Sequence, residues 1–507
     1  MARTITIHPE PAAADALQQV AKVRRDYNGW VARESIEDYA LRFTARSFRR
    51  WGPWRVANTA VGGAASFLIL EAIGATLLVQ HGFTVAAAAI VATGVVIFLA
   101  GLPISVYAAR HGVDMDLLTR GAGFGYIGST VTSLVYACFT FVFFALEAAV
   151  MAYALELAFD IPPAWGYLLS ALVVIPLVVH GVTVIGRLQA WTLPLWLVMI
   201  VAPYVAVFVQ HPGIVGELLH YGGERGAPGF DAVAFGAATT VGIALITQMG
   251  EQADYLRFMP ERTAANRRRW WAAVLVGGPG WVIPGVAKML GGALLAYLAI
   301  VHMVPAERAV DPNQMYLVAY ENVFSHYGLA VAATALFVVV SQLKINVTNA
   351  YAGSLAWSNF FHVLALYANV AIAWIMAVVA DLVINKPLGL SPAGVEYRRA
   401  YLYDVNPVGA GAMGLASLLA ITAHLGLFGE VAQAYSATVA AATALLVSPA
   451  IAWATRGRYY LARRPDAESG DAADRYTRLA PAGGAATRRC VVCERDYETD
   501  DMAACPA

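Results

Sequence analysis

Ser341-Gln342-Leu343-Lys344-Ile345-Asn346-Val347-Thr348-Asn349 stands inside an apolar run that extends from Leu329 to Ile384. A charged side chain at bilayer depth costs roughly 2.5–3.5 kcal/mol on insertion scales, so Lys344 marks a working position by default. Other apolar segments carry Glu71, Glu147, Glu251 and Asp254, acids able to neutralise an ammonium and, with Lys344, the candidates for ion coupling. Acids and a lysine around a shared cavity are what a transport path or a ligand sensor within the membrane requires.

Composition agrees with membrane residence. Of 507 residues, 59% are hydrophobic and 13% charged, where a soluble chain carries about 25% charged residues. The net charge of +0 gives no basic balance that would call for nucleic acid. The polar, basic stretch 1–50 lacks the short apolar core and cleavage site of a signal peptide and is expected to be retained. Cys138 lies in an apolar span and the other three cysteines crowd the end of the chain, so no disulfide framework is visible.

A spanning helix needs about 20 apolar residues. Segments of that kind run roughly over 54–79, 84–109, 128–158, 164–184, 188–209, 232–252, 270–301, 328–350, 363–384, 408–428 and 431–454. The expectation is an all-α polytopic membrane protein with a domain at 51–456, since neither alternating strands nor barrel segments occur. Arginines at 46, 49, 50 and 55, at 110 and 120, at 187, and at 257, 262 and 267–269 mark every second loop and place the N-terminus inside. The alternation then breaks. Three spans separate Arg269 from Lys386, although both ask to be inside, so either one segment fails to cross or one span is missing after Phe361.

Spans one and six carry helix-weakening residues. Gly62-Gly63 and Gly74 interrupt the first; Gly236, Gly242 and Gly250 interrupt the second, which ends Gln248-Met-Gly250-Glu251-Gln252-Ala-Asp254. Interrupted spans in corresponding halves point to the binding site of a transporter built from inverted repeats. On span three, Phe143 and Glu147 lie four residues apart on one face. A planar ligand there would stack on the ring and donate to the carboxylate, whereas the plainer reading is a structural pair between Glu147 and Lys344. Asn346 and Asn349 present amides on span eight, or serve only as interhelical hydrogen bonds. Gly123-Phe-Gly125-Tyr-Ile-Gly128 fits GxGxxG but opens a membrane span rather than following a strand, which rules against a dinucleotide. The tail, 457–507, is expected to be a cytoplasmic linker with no fold beyond a local turn. Its Cys490-Val-Val-Cys493 and Cys505 make three of the four ligands of a zinc site, or else a cluster of reduced thiols.

From about Glu37 to Arg464 the chain resembles the nucleobase–cation symporter family of purine, cytosine, allantoin and hydantoin permeases. The motifs that carry the resemblance are Leu118-Thr-Arg120-Gly-Ala-Gly-Phe124-Gly125-Tyr-Ile-Gly128-Ser129, Asp254-Tyr255-Leu256-Arg257-Phe258 and Asn349-Ala-Tyr351-Ala-Gly-Ser354-Leu-Ala. It implies a LeuT-like five-plus-five inverted repeat with two extra helices. Position by position, it implies Phe143 as the stacking ring, with Glu147 and Asn349 among the substrate-binding side chains; Gln248 at the end of span six and Asn346 on span eight join them as candidates from their places in the sequence. Leu245 falls where a second stacking tryptophan stands in the family. Lys344 falls where sodium-coupled members place a hydroxyl ligand, which favours a proton over sodium as the coupling ion. The family's ninth span is missing, because Phe361 runs straight into His362-Val-Leu-Ala-Leu-Tyr367.

Ile36-Glu-Asp-Tyr-Ala-Leu-Arg-Phe43 and the cysteine tail also resemble permease-like input regions joined to hybrid sensor histidine kinases. Two functions follow: a permease of a bacterial inner membrane for a small planar nitrogen heterocycle, or a sensor using the same pocket to drive a downstream kinase module. An enzyme is disfavoured, since the spans hold no nucleophile–base pair or complete metal motif.

Overall fold

The computed structural model describes residues 51–226, 228–357, 367–397 and 402–462, together with Thr44, Arg49 and the strand segments 476–479, 487–490 and 496–498. Among the described residues, eight helices are long and apolar enough to cross a membrane, and the bent pair Pro53–Ala65 and Ile69–His81 makes a ninth. Two shorter apolar helices, Pro163–Val179 and Asn369–Asn385, complete the pattern of eleven segments read from the sequence. Large apolar side chains lie open on the outer helices (Trp191, Val198 and Leu446 are 86%, 67% and 74% exposed), as lipid-facing surfaces require. The chain is an integral membrane protein.

The first span is two half-helices, α1 (Pro53–Ala65) and α2 (Ile69–His81), bent by 42°. Pro53 fits the open first turn of α1. At its other end the Ser66 hydroxyl bonds back to Gly63 O at 2.7 Å, and the chain leaves the helix at Phe67 and Leu68. Gly62 and Gly63 are required here by close approach. A Cβ at Gly62 would lie 2.8 Å from Gln189 Oε1, and one at Gly63 would lie 2.6 Å from Thr348 Cγ2.

After α3 (Phe83–His111) comes a short helix α4 (Met115–Thr119), whose first turn Asp114 caps through Leu117 N at 2.8 Å. The long α5 (Gly125–Phe159), α6 (Pro163–Val179) and α7 (Val182–Gln210) follow. The turn into α7 falls at His180-Gly181, where Gly181 has φ +70°, so Arg187 lies inside a helix and not in a loop. Span six is broken like span one: α8 (Ala232–Ile243), a 3₁₀ turn over Ala244–Thr247, then α9 (Gln248–Leu256). Span seven breaks at Gly278-Pro279 between α10 (Arg267–Gly277) and α11 (Val282–Val301). A short, largely buried helix α12 (Pro312–Glu321) leads to α13 (Tyr327–Trp357), α14 (Tyr367–Ala380), α15 (Pro407–His424) and α16 (Ser436–Ala454).

Packing reveals the repeat. The two halves of span one pack on span seven, α1 on α10 and α2 on α11, and their counterparts α8 and α9 both pack on α3; α5 and α13, third in each half, pack along one another. The helix α6 packs on α5, but among the described residues no counterpart packs against α13, and nine residues separate Trp357 from Tyr367. That is under half of what a spanning helix needs. Beyond the repeats, α15 and α16 pack on α14. The end of that helix is fastened by Asn385 Nδ2, which donates to Ser448 Oγ at 3.1 Å and Tyr460 OH at 3.2 Å, while Tyr460 donates to Asp381.

The tail departs from the expected plain linker. Tyr476–Leu479, Thr487–Cys490 and Asp496–Glu498 pair as an antiparallel sheet, with Arg488 opposite both Arg478 and Tyr497. Strand length and spacing were too short there to give a clear period-two signal.

The contact between α2 and α11 is the tightest in the bundle's core: a Cβ at Gly74 would lie 1.9 Å from Met289 O, and one at Gly292 would lie 2.2 Å from Glu71 O. Gly74→Ala is therefore expected to cost about 1–3 kcal/mol by overpacking. Gly414→Ala on α15, with nothing within 4 Å of the added carbon, should leave stability unchanged or slightly raised. Thermal unfolding of both variants in detergent checks the contrast.

Candidate functional site

The break in span one leaves two open helix ends facing each other. Carbonyls at the end of α1 need donors, and the first N–H groups of α2 need acceptors. Lys288 Nζ donates to Ala65 O at 3.0 Å, at the C-terminal end of α1. Glu147 Oε1 accepts from Ile69 N at 3.3 Å, at the N-terminal end of α2. Each charge has the sign that its half-helix dipole favours.

These two groups sit within a larger buried network. Lys288 Nζ is 4.0 Å from Glu71 Oε1, and Tyr316 OH donates to the same oxygen at 2.6 Å. Gln342 Nε2 donates to Glu147 Oε2, and to Glu147 O at 3.1 Å. Lys288 was missed in the sequence, although Val282-Ile-Pro-Gly-Val-Ala-Lys288-Met carries as plain a signal as the segment around Lys344.

Lys344 itself does not pair with an acid, contrary to expectation. Its Nζ donates to Thr192 Oγ1 at 3.1 Å and to Gln189 O at 3.3 Å, both on α7. Gln189 Nε2 returns a bond to Lys344 O at 2.9 Å, so lysine and glutamine clasp α7 to α13. The physical reason is reach: the side chain leaves α13 toward α7, whereas Glu71 and Glu147 gather around Lys288 on α11.

Asp254 is also fully engaged within the protein. Its two oxygens accept from Met115 N at 3.2 Å and Tyr136 OH at 2.7 Å. Beside it, Arg257 Nη1 lies 3.7 Å from Asp114 Oδ2, and Nη2 donates to Tyr351 OH at 2.8 Å. This cluster ties α9 to α4, α5 and α13 at the end of the bundle where the chain enters α1. Sequence reasoning took Arg257 as a loop charge and part of a family motif, whereas it is buried, and did not single out Asp114 or Tyr136, because the cluster forms at a junction of four separate elements.

Above that cluster, hydrogen-bonding capacity is left over. Gln248 Nε2 donates to Glu251 Oε2 at 2.8 Å, yet Gln248 Oε1 and Glu251 Oε1 have no partner. Both amide atoms of Asn346 and both of Asn349 are likewise buried and unpaired. The helices that carry these four side chains, α9 and α13, pack on each other. Buried polar atoms are almost always satisfied, so such a group calls for a ligand or water. Phe143 lies 5.1 Å from Phe67, edge to face, and 4.5 Å from Phe139, which makes an aromatic wall beside the span-one break. Leu245 is buried on the 3₁₀ turn of span six and offers apolar surface where a ring would have stacked. Among the described residues no group of three His, Cys, Asp or Glu side chains could hold a metal. Cys493 and Cys505 lie outside the described residues, and for Cys490 only the strand backbone is described.

Comparison with known proteins finds no matching family model and no curated protein similar enough in sequence to match. Similarity appears in the structure. The fold resembles that of Mhp1, a nucleobase-cation-symport-1 family transporter, in a closed conformation with bromovinylhydantoin bound. The TM-score is 0.51 at 17% identity, over 84% of this chain and 99% of that one. The inward-facing conformation of Mhp1 gives 0.51 at 18% identity, over 85% and 99%. A Na+-coupled sialic acid symporter in a substrate-bound outward-open state gives 0.53 at 12% identity, over 85% and 94%. The likeness to kinase-linked input regions finds no support in these comparisons.

Removing one member of a buried ion pair strands the other, at a cost of about 3–5 kcal/mol. Lys288→Met is therefore expected to lower the unfolding temperature sharply, and adding Glu71→Gln should recover most of the loss. A thermal-stability cycle over the two single variants and the double variant tests the pairing. The chain has the LeuT-like fold of these transporters.

Proposed function

We propose that the chain is a secondary permease for a small planar nitrogen heterocycle, such as a purine, pyrimidine or hydantoin. The observation that carries this reading is the set of unpaired buried amide atoms on Gln248, Asn346 and Asn349, on helices that meet where spans one and six are broken. Amides offer donors and acceptors in one plane, which is what the edge of a nitrogen heterocycle presents. The Phe67–Phe139–Phe143 wall supplies the apolar face against which such a ring stacks. Glu147 takes the ligand's N–H only by exchanging Ile69 N or Gln342, which links binding to the break between α1 and α2. The LeuT-like fold and the bromovinylhydantoin bound to Mhp1 support the same class of ligand.

Coupling is assigned to a proton. Lys344 is a titratable cation whose partners are a neutral carbonyl and a hydroxyl, so loss of its proton leaves no buried carboxylate stranded. Its partner Gln189 touches Gly62 in α1, which connects the clasp to the moving half-helix. Glu71 and Glu251 are the acids available to share in proton movement, Asp254 being held by its own bonds. The arginines at 46, 49, 50 and 55 and at 262 and 267–269 support an N-terminus on the inner side of a bacterial inner membrane.

Proteoliposomes supplied with labelled uracil, cytosine, hypoxanthine, allantoin or hydantoin under imposed proton or sodium gradients test the reading. The expected result is saturable uptake of at least one compound, driven by protons and indifferent to sodium. Asn349→Ala should weaken that uptake about tenfold, the worth of one or two hydrogen bonds to a buried ligand. Lys344→Ala should abolish the proton response. Sodium-driven uptake, or no binding of any of the five, overturns the proposal.

A further inference from the structure

On α9, Gln248 and Glu251 share one stripe with Tyr255, at spacings of three and four residues. Tyr255 stacks on Tyr351 of α13 with ring centroids 5.7 Å apart, so the stripe looks toward α13. Other faces of α9 are closed by contact. Trp281 Nε1 donates to Met249 Sδ at 3.2 Å, and a Cβ at Gly250 would lie 2.7 Å from the Tyr136 ring on α5. Across the gap, α13 touches α1 through Thr348, whose Cγ2 would lie 2.6 Å from a Cβ at Gly63. It touches α5 through Gly353, where a Cβ would lie 2.8 Å from Thr140 Oγ1. Around the helix axis Asn349 falls between these two contacts, so it faces the wedge bounded by α1 and α5.

What α9 offers to that space has one polarity. Gln248 Nε2 donates to Glu251 Oε2 at 2.8 Å, and the two atoms left without partners, Gln248 Oε1 and Glu251 Oε1, are both acceptors. Both side chains are buried, and Glu251 forms no ion pair among the described residues. An edge made of acceptors selects a ligand edge made of donors. Imides such as uracil and hydantoin set their ring N–H groups beside carbonyl oxygens, which would meet these two oxygens with no hydrogen between. A ring N–H beside an exocyclic amino group places two donors together. Asn349, with its amide oxygen and nitrogen both unpaired, accepts either polarity and does not discriminate.

We infer that this site prefers an aminated heterocycle, with a ring N–H beside an exocyclic amino group as in guanine or isocytosine, and that Gln248 and Glu251 read those two donors. That preference narrows the ligand class of the permease reading above and depends on it.

Ligand pairs that differ by the amino group alone make the test: guanine against hypoxanthine, and isocytosine against pyrimidin-4-one. Dissociation constants are measured by equilibrium dialysis against the full chain in lipid nanodiscs. In each pair the amino compound is expected to bind about ten- to a hundredfold tighter, the worth of one hydrogen bond to a charged acceptor. Glu251→Gln, which keeps the shape and removes the charge, should shrink both ratios to about threefold or less. Asn349→Ala should weaken both members of a pair alike and leave the ratios standing. Equal affinities within the pairs, measured on the native chain, overturn the inference without recourse to any variant. So do ratios that Glu251→Gln leaves unchanged. If none of the four compounds binds, the inference falls; the permease reading falls with it only when uracil, cytosine, allantoin and hydantoin are refused as well.

Discussion

Everything in the centre of this bundle depends on how the gap between α1 and α2 is filled. A broken helix inside a membrane exposes carbonyls and N–H groups that lipid cannot satisfy, each at a cost of several kcal/mol. Lys288 and Glu147 satisfy them from two other spans, with charges matched to the helix ends. Glu71, Tyr316 and Gln342 then hold those charged groups in place. The arrangement needs α2, α5, α11, α12 and α13 in fixed relation, so one discontinuity in one span organises five elements.

Much of this was legible in the sequence. Eleven apolar segments, the glycine pair at 62–63 and the polar ending of span six follow from hydropathy and helix propensity, which act locally. The missing counterpart of α6 was legible too, since Phe361-His362 leaves no room for a crossing. Partners were not. Lys344 and Lys288 look alike in sequence, and only packing decides that one clasps a neutral helix while the other meets acids. Asp254 reads as an ion-coupling acid from its sequence position, and the bonds its two oxygens accept from Tyr136 and Met115 could not be foreseen there. The strands of the tail escaped notice because segments of three or four residues carry little periodic signal.

The asymmetry of the two halves also has a physical reading. In the first half α6 covers α5, whereas among the described residues no spanning helix stands between α13 and α14 to cover α13 in the same way. The second half is instead consolidated at its far end, where α15 and α16 close over α14 and the Asn385–Ser448–Tyr460–Asp381 bonds fix the junction. Rigidity lost in one part of the repeat is supplied by helices outside it.

The break in span seven at Gly278 lies beside the middle of α1, since a Cβ at the preceding Gly277 would lie 2.8 Å from Ala57 Cα. Below it α10 packs on α1; above it α11 packs on α2, with glycine backbones almost touching. A Cβ at Gly278 would lie 2.3 Å from Ser105 Oγ on α3, so the interrupted backbone of span seven passes α3 with no room for a side chain between them.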